Sequence, residues 1–482
     1  MSVADRITAL SPEQRALLDK LRQIQTRPAA RTPPPVQPVS GPSGVGDWPL
    51  SFDQERLWRM HRENPALVSW NVDAGSRVRG ELDLPLFVAA FHELVRRHAA
   101  WRTTFPLVDG RPVQRVHAWL PPAVSILDLA ALPAEMRERT GHAAIYDHTR
   151  NLFDLEQGPL VRIALVRLAA RDHLYLITIH HTVTDWITFQ IFFQELIQVY
   201  EALRAGRPSP LPPLPVQFPD YAVWERERYQ GEVLEEEARF WRRELAGFPL
   251  VLDLPGARPR PPVQSQRGGL IPVRAGGERT GRLRALARKE GATIFMAVLA
   301  VLDALLWRAT GREKIVVGSN SANRPLPELA PVAGFFLTQV PFATDVSGDP
   351  TFRELLVRAK RTALSAYAHQ NLPFSKLLEV LEVEPDRSRN PVVQILLLIL
   401  EGKSHGTSGD LEFTATELYD GNSRWDLMFG LYDYHDLGLT GPLEYNADIF
   451  DAATAHRLVD LFYRIIDAAA ADPDLRLSEL PL

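Results

Sequence analysis

Two hydrophobic periodicities alternate along this chain. Residues 173–179, HLYLITI, form a short apolar run rich in β-branched and aromatic side chains, which predicts a strand. Residues 187–203 instead place their apolar side chains at helical spacing, which predicts a helix with one buried face. The residues between these two segments therefore form a strand-to-helix corner.

Other segments extend the same alternation. The pattern predicts a charged helix over 221–245, an apolar helix over 293–308 capped by Thr293, strands over 314–319 and 392–400, and a last helix over 452–471. Helices and strands are expected to alternate up to residue 450. The pattern therefore predicts the α/β fold class.

Proline-rich segments predict the domain boundaries. Residues 26–46 read as a linker without a packed core, and residues 206–219 read as a crossover between two lobes. We therefore predict an N-terminal helix and linker over 1–47, a first lobe over 48–219 and a second lobe over 220–482. The amphipathic helix at 11–24 is too short to be stable alone. It docks on a partner protein, packs on its own body or is an ordinary linker helix, and the sequence leaves these alternatives open.

Composition narrows the possible partners. The chain has 482 residues, of which 45% are hydrophobic and 23% charged, and its formal net charge is -5. Because it lacks long runs of basic residues, it does not show the positive charge that binding to nucleic acid requires. No apolar run reaches the roughly 18 residues that a membrane span needs, and the first residues do not resemble a signal peptide. We therefore expect no nucleic acid or membrane partner and a cytoplasmic location.

The chain lacks several catalytic groups. There is no cysteine, so there are no disulfides, no thiolate metal ligands and no thiol that could hold an acyl group. A G-x-S-x-G nucleophile elbow with strand-to-helix context is missing, as are a phosphate loop and an H-E-x-x-H motif. Direct transfer between two bound reactants is thus favoured over a covalent acyl-enzyme. No metal, nucleotide or other cofactor bound by the chain itself is expected.

The strand-to-helix corner carries the candidate chemistry. Residues 180–185 read His-His-Thr-Val-Thr-Asp, a pair of imidazoles followed by a carboxylate. A histidine at a strand end is often a satisfied structural residue, so the motif alone does not establish catalysis. On a rigid corner, however, an imidazole can be held against a substrate while staying accessible, which favours acyl transfer.

Seven ordered elements resemble the condensation domain family of non-ribosomal peptide synthetases, over roughly residues 48–482. They are Ser51–Trp58 (S-x-x-Q-x-R-L-W), Arg97–Phe105 (R-H-x-x-L-R-T-x-F), His180–Asp185 (H-H-x-x-x-D), Tyr221–Trp224 (Y-A-x-W), Gly334–Gln339 (G-F-F-V-N-T), His369–Phe374 (H-Q-x-x-P-F) and Arg387–Pro391 (R-x-x-S-x-x-P). The resemblance implies two lobes similar to chloramphenicol acetyltransferase, arranged as a V-shaped pseudo-dimer around a central tunnel. It also implies a donor carrier protein, whose phosphopantetheine arm presents a thioester, and an acceptor on a second carrier or a small free acceptor.

Site residues follow from the same resemblance. His181 is expected to face the reacting atoms, whereas His180 and Asp185 belong to the catalytic motif with more structural roles. Arg102 is the arginine expected to pair with the motif aspartate. Two departures from the family pattern lie at the expected tunnel: Trp186 stands where glycine is usual, and Thr338-Gln339 replaces an Asn-Thr pair.

Three functions remain open at this stage. The first is a condensation enzyme that forms an amide or an ester from a carrier-bound acyl or peptidyl thioester. The second is a catalytically silent relative that recruits other proteins, which Trp186 motivates because its indole narrows the site. The third is a related epimerase or acyltransferase.

Overall fold

Two six-stranded sheets organise the structure, a computed structural model. It describes residues 33–66, 68–254, 258–401, 405–416, 419, 421–434 and 437–480. In chain order the strands are β1 (Gly46–Trp48), β2 (Asn71–Arg79), β3 (Thr103–Thr104), β4 (Leu107–Val108), β5 (Arg111–Pro112), β6 (Gln114–Val116), β7 (Ala123–Asp128), β8 (Val161–Ala169), β9 (Asp172–His180), β10 (Gly268–Arg274), β11 (Lys314–Ser321), β12 (Thr338–Asp345), β13 (Ile395–Glu401), β14 (His405–Ser408), β15 (Leu411–Ala415), β16 (Leu427–Tyr434) and β17 (Gly438–Asn446).

Helices cover the sheets. Those in the described residues are α1 (Phe52–Glu63), α2 (Leu84–Arg97), α3 (Ala134–Thr149), α4 (Trp186–Arg204), α5 (Phe218–Arg228), α6 (Gly231–Glu244), α7 (Gly276–Lys289), α8 (Ile294–Thr310), α9 (Phe352–Ala368), α10 (Phe374–Val380) and α11 (Ala452–Ala471). Thr293 caps α8 as predicted, its hydroxyl accepting a hydrogen bond from the Met296 N–H.

The first lobe is built on the sheet β14-β15-β2-β9-β8-β7. Helices α2 and α4 pack against each other beside it, and their aromatic side chains interlock, with the Phe91 and Phe192 ring centroids 6.0 Å apart. Strand β9 pairs antiparallel with β2 over its whole length, up to the pair Asn71 and His180. The sequence motif thus begins where the central strand of this lobe ends.

The second lobe is built on the sheet β10-β17-β16-β13-β11-β12. Helix α8 is apolar on nearly every face because it lies between α7, α9 and α11 in the core. The prediction of a two-lobed α/β protein is confirmed. Both sheets are mixed, since the pairs β7–β8, β11–β13 and β13–β16 are parallel.

The two lobes exchange segments. The hairpin β14–β15 comes from the C-terminal half of the chain, yet β15 pairs with β2 of the first lobe. Leu329 and Phe336, which precede β12, are likewise buried in the core of the first lobe. The predicted boundary at residue 219 divides only the linear chain. In space, the first lobe also contains residues that follow this boundary.

Two predicted segments differ from the structure. The expected helix over 221–245 is two helices, because Gly231 starts α6 with a φ of +50°, a conformation that favours glycine. The break lets Tyr229 turn inward, where its hydroxyl donates to the Asn371 carbonyl at 2.6 Å. The expected alternation of helices and strands also ends early, since the described residues show no helix between the successive strands β13 to β17.

The described part of the predicted linker, residues 33–46, lies along the body. Val36 is buried, and its N–H donates to the Glu328 carboxylate at 3.0 Å. The N–H of Ser40 donates to the Asp220 carboxylate at 2.7 Å. A proline-rich segment without regular secondary structure can therefore be fixed by a few side chains that accept hydrogen bonds from its backbone. The predicted helix at 11–24 lies outside the described residues.

Candidate active site

The motif forms a tight corner at the lobe junction. Strand β9 ends at His180, a 3₁₀ turn spans His181–Val183, and α4 begins at Trp186. Asp185 is the N-cap of α4, and its carboxylate accepts a hydrogen bond from the Thr188 N–H at 2.8 Å. The carboxylate thus starts the helix, as expected of an aspartate at this position.

Asp185 also joins the two halves of the chain. It forms a bidentate ion pair with Arg324, at 2.9 and 3.1 Å, and accepts the Phe336 N–H at 3.1 Å. Both partners precede β12 in the second half of the chain. The sequence-based pairing of Asp185 with Arg102 was therefore wrong. Each oxygen of this buried carboxylate has two donors, so its charge is fully compensated.

Arg102 instead supports the backbone of the first lobe. Its guanidinium is buried, and its acceptors among the described residues are the carbonyl oxygens of Ser43, Val95, His117 and Ala118. Burial lowers the pKa of this guanidinium, because it removes water from around the positive charge. A structural role is thus compatible with these contacts, but it acts on loops around α2 and not on the motif carboxylate.

His180 is buried inside the first lobe. Its Nδ1 lies 2.9 Å from the Thr182 hydroxyl and 3.3 Å from the Thr182 N–H, and its Nε2 is buried without a hydrogen-bond partner among the described residues. His61 lies edge-on, with the ring centroids 5.3 Å apart. Burial, reinforced by the neighbouring imidazoles, holds the pKa of His180 well below its ordinary value. This ring is buried and does not line the cavity beside His181.

In His181, a hydrogen bond fixes which ring nitrogen carries the proton. Its Nδ1 lies 2.8 Å from the Thr184 carbonyl, and because a carbonyl only accepts, Nδ1 must carry the proton. Nε2 therefore holds the lone pair of the neutral ring. Burial, together with the positive charge of Arg424, lowers the pKa of His181 to about 4. At neutral pH this imidazole is uncharged and presents an unprotonated nitrogen.

A cavity of about 40 Å³ adjoins His181 at the lobe junction. Its walls come from both lobes and include Arg56, Trp70, Asn320, Thr338, Gln339 and Arg424. The structure thus brings Thr338 and Gln339 to the cavity that contains His181. Such a volume holds a few water molecules or one small polar group.

Trp186 lies elsewhere. It is the first residue of α4, and its indole packs against Tyr432 of β16, with ring centroids 5.8 Å apart. The lining of the His181 cavity does not include it. The expectation that this indole lines the tunnel and narrows the site is therefore not met at this cavity. The bulky ring nearest to His181 is Phe335, at 5.0 Å between centroids, followed by Trp70 at 6.4 Å.

The described part of the chain contains neither a metal-binding cluster nor a single membrane-spanning helix. No cluster of three or more histidine, aspartate or glutamate side chains in that part could hold a metal ion. In the same residues no single helix is long and apolar enough to cross a membrane. The bent pair α7–α8 meets that criterion only by length and composition.

Two mixed sheets with a histidine corner at their junction place the protein among two-lobed α/β folds built like chloramphenicol acetyltransferase. Comparison with known proteins makes this assignment more specific. The Condensation domain family matches residues 45–482, and the chain belongs to that family, which is associated with nonribosomal peptide synthetases. The resemblance found in the sequence is confirmed.

Curated relatives are much longer than this chain. A linear gramicidin synthase protein of Brevibacillus parabrevis is 38% identical over 440 residues, which cover 90% of this chain and 8% of the relative. Phosphinothricin tripeptide synthetase PhsC of Streptomyces viridochromogenes is 34% identical over 479 residues, which cover 99% of this chain and 44% of the relative. The chain thus spans less than half the length of each, and their full activities do not transfer to it.

Solved structures give the same fold. The X-domain in its complex with OxyB from teicoplanin biosynthesis is 30% identical, with a TM-score of 0.83 and coverage of 94% of this chain and 99% of that one. The first condensation domain of the calcium-dependent antibiotic synthetase is 20% identical, with a TM-score of 0.75 and coverage of 91% and 99%. At that identity the second likeness shows the fold alone.

Sequence reasoning missed several residues at this junction. Arg324 lies 139 positions from Asp185, and nothing in its local sequence distinguishes it from a surface arginine. Trp70, Asn320 and Arg424 also reach the cavity from three separate segments. Long-range pairing of this kind leaves no periodicity, so only the fold or a set of aligned relatives could have revealed it.

Proposed function

We propose that the protein is a condensation enzyme that transfers a carrier-bound acyl or peptidyl thioester directly to an acceptor. The observation that supports this proposal is the state of His181. Its Nδ1 proton is held by the Thr184 carbonyl, so a lone pair on Nε2 is available beside a cavity at the lobe junction. His180 does not line this cavity.

The low basicity of His181 favours an amine acceptor. A free α-amine has a pKa of roughly 8, so a sizeable fraction is already neutral and can attack the thioester carbonyl. A C–N bond then forms, the C–S bond breaks, and the donor thiol leaves with the proton that the nitrogen gives up. With a pKa of about 4, His181 is a weak base, which fits a role in orienting the attacking amine better than one in removing its proton. Deprotonating an alcohol requires a stronger base, so amide formation is favoured over ester formation.

The size of the cavity sets a condition on this reaction. About 40 Å³ cannot hold two tethered reactants at once, so the lobes or the lining side chains must move apart when the substrates bind. Donor and acceptor carrier proteins, each with a phosphopantetheine arm, are the partners that family membership supports. A small free acceptor in place of the second carrier is compatible with the same site.

A second candidate function is a non-catalytic recruiting platform. It is favoured by the 30% identity to an X-domain solved in complex with OxyB, and by the small size of the His181 cavity. In that case the structural contacts of His180 and Asp185 are retained for folding, and His181 has no chemical role.

One experiment separates the two candidates. Carrier proteins loaded with a panel of donors are mixed with carrier-bound and free acceptors, and products are followed by intact-mass analysis. For an enzyme, His181→Ala should lower the rate roughly 10² to 10⁴-fold, the range for a positioned acid-base group. His456→Ala, at an exposed histidine on α11, serves as the matched control. A wild-type rate in His181→Ala contradicts the catalytic proposal, and no product from the wild type with any pair favours the platform.

A further inference from the structure

Gln54 contacts the turn that carries His181. Helix α1 packs against this 3₁₀ turn, and the Nε2 of Gln54 donates a hydrogen bond to the Thr182 carbonyl at 2.9 Å. The two residues lie 128 positions apart in the sequence. Gln54 is 1% exposed and Thr182 is fully buried, so water cannot replace this donor. The hydrogen bond therefore fixes the backbone immediately after the candidate catalytic imidazole.

A second contact fixes the orientation of the Gln54 amide. Its Oε1 accepts the Ser51 N–H at 3.0 Å, and the Ser51 hydroxyl accepts the Gln54 N–H at 3.2 Å, which together form the capping box of α1. Turning the amide by half a rotation would place its NH₂ group against a backbone N–H and its oxygen against a carbonyl. One orientation satisfies both neighbours, so Nε2 is the atom that faces Thr182.

The capping box alone does not require glutamine. Glutamate serves at the same position of the box, because the side chain only has to accept the backbone N–H of the cap residue. An ionised carboxylate cannot donate to the Thr182 carbonyl, whereas an amide both accepts and donates. The contact with the turn, and not the helix cap, therefore accounts for an amide at residue 54.

The start of α1 is itself held in place by buried carboxylates. The Phe52 N–H donates to the Glu225 carboxylate at 2.7 Å. On the other side, the Asp53 carboxylate accepts the Phe374 N–H at 3.1 Å, where α10 of the second lobe begins. Gln54 thus projects from a helix end that is fixed on two sides, and such a side chain can hold another segment at a defined position.

The turn transmits this constraint to the His181 ring. It brings the Thr184 carbonyl within 2.8 Å of the His181 Nδ1, and this contact keeps the proton on Nδ1. Loss of the Gln54 donor would leave the buried Thr182 carbonyl without this hydrogen bond, which costs free energy and favours rotation of its peptide unit. Such a rotation moves the Thr184 carbonyl away from the ring. Nδ1 would then lose the acceptor that selects its tautomer.

We propose that Gln54 is a positioning residue for the reaction: it holds the turn after His181, and through that turn it keeps the imidazole in the tautomer with an unprotonated Nε2. This inference rests on the proposed function, because it concerns the same site. Gln54 does not line the His181 cavity, so its effect on the rate passes through the ring and not through contact with a substrate.

The tautomer can be measured without turnover. In the full chain labelled with nitrogen-15 histidine, long-range proton–nitrogen NMR spectra separate a protonated from an unprotonated ring nitrogen. The signals of His181 are those that disappear in His181→Ala. Gln54→Met removes the donor without adding a charge, so both ring nitrogens should shift toward the average of two exchanging tautomers. Ser51→Ala, which weakens the capping box but keeps the Gln54 amide, should lower the melting temperature and leave the tautomer unchanged.

A kinetic double-mutant cycle tests the same point during turnover. With loaded carriers, Gln54→Met should lower kcat roughly 10- to 100-fold, the effect of a small misplacement of a catalytic group, and leave KM within about threefold. In the His181→Ala background the same substitution should lower kcat less than about twofold, because the ring through which Gln54 acts is gone. A purely structural role would lower kcat alike in both backgrounds. Gln198→Met, at an exposed position of α4, is the control.

The two measurements separate the positioning role from the catalytic function. An unchanged His181 tautomer in folded Gln54→Met, or equal losses of kcat in both backgrounds, overturns the positioning role while a condensation enzyme remains. A shifted tautomer in a protein whose wild type makes no product with any pair refutes the catalytic function and supports the constraint that Gln54 places on the ring.

A second variant covers a failure to fold. Gln54→Glu keeps the acceptor of the capping box and takes the place of Gln54→Met if circular dichroism shows that the methionine variant is unfolded. Loss of folding in both variants would show that the amide supports the whole lobe rather than the ring, and would also overturn the proposal.

Discussion

Asp303 gives the sharpest test of the second lobe. This aspartate lies in the middle of α8, fully buried in the apolar core, and neither carboxyl oxygen has a hydrogen-bond partner within the described ranges. Burial raises the pKa of Asp303 to about 8; the nearby Thr344 hydroxyl offsets this only slightly, because its geometry does not satisfy a hydrogen bond. The folded protein therefore keeps this carboxyl protonated at neutral pH.

The pH dependence follows from linkage. Between pH 4 and pH 8 the unfolded chain has lost this proton while the folded chain still binds it, so the free energy of unfolding falls as the pH rises. One pKa unit corresponds to about 1.4 kcal/mol. A rise from 3.8 to about 8 thus makes this group reduce stability by roughly 4 kcal/mol between pH 5 and pH 8. This is a large part of the net stability of an ordinary domain.

Asp303→Asn removes the titration with little change in shape. Urea unfolding of the variant and the wild type at pH 5 and pH 8 gives a double difference in which other titrating groups cancel. The variant should gain roughly 4 kcal/mol relative to the wild type on going from pH 5 to pH 8. Asp460→Asn, at an exposed position of α11, is the control and should change stability by less than about 0.5 kcal/mol at either pH. A double difference below about 1 kcal/mol would refute a neutral, buried Asp303.

Three further predictions concern the lobe junction. Arg324→Ala leaves the Asp185 carboxylate buried with only its backbone donors, so urea unfolding should show a loss of about 3 to 5 kcal/mol, and a loss below about 1 kcal/mol would contradict the pair. Because protonation removes the His181 lone pair and its pKa is about 4, the acid limb of a plot of kcat/KM against pH should lie near pH 4; a limb near 6.5 would show an exposed imidazole. Trp186→Gly should lower the melting temperature, through lost packing on Tyr432, and change kcat/KM less than about threefold; a tenfold gain would show that the indole restricts the site.

Local patterns predicted the elements well because these depend on neighbours in sequence. The strand that ends at His180, the helix capped by Thr293 and the last helix over 452–471 all follow from periodicity and capping. Patterns failed where a single backbone conformation decided the outcome, as at Gly231, or where strands paired across the chain, as in β14–β15.

For the candidate site, too, sequence reasoning found some residues and missed others. The resemblance of motifs identified His181, and the roles of its two nitrogens then followed from hydrogen bonds that only the structure shows. Arg324 was missed because an ion pair between distant segments is invisible to periodicity. Trp186 was misplaced because adjacency in sequence to the motif does not mean adjacency to the cavity: as the first residue of a helix it points toward β16.

The exchanged hairpin has a consequence for protein engineering. Strand β15 covers the edge of β2, so a gene fragment ending near residue 219 would expose a row of unpaired backbone groups and invite aggregation. Chimeras that swap one half of this protein for that of a relative must therefore transplant residues 405–415 together with the N-terminal half. The unit that can be exchanged is thus a complete sheet and not a continuous stretch of sequence.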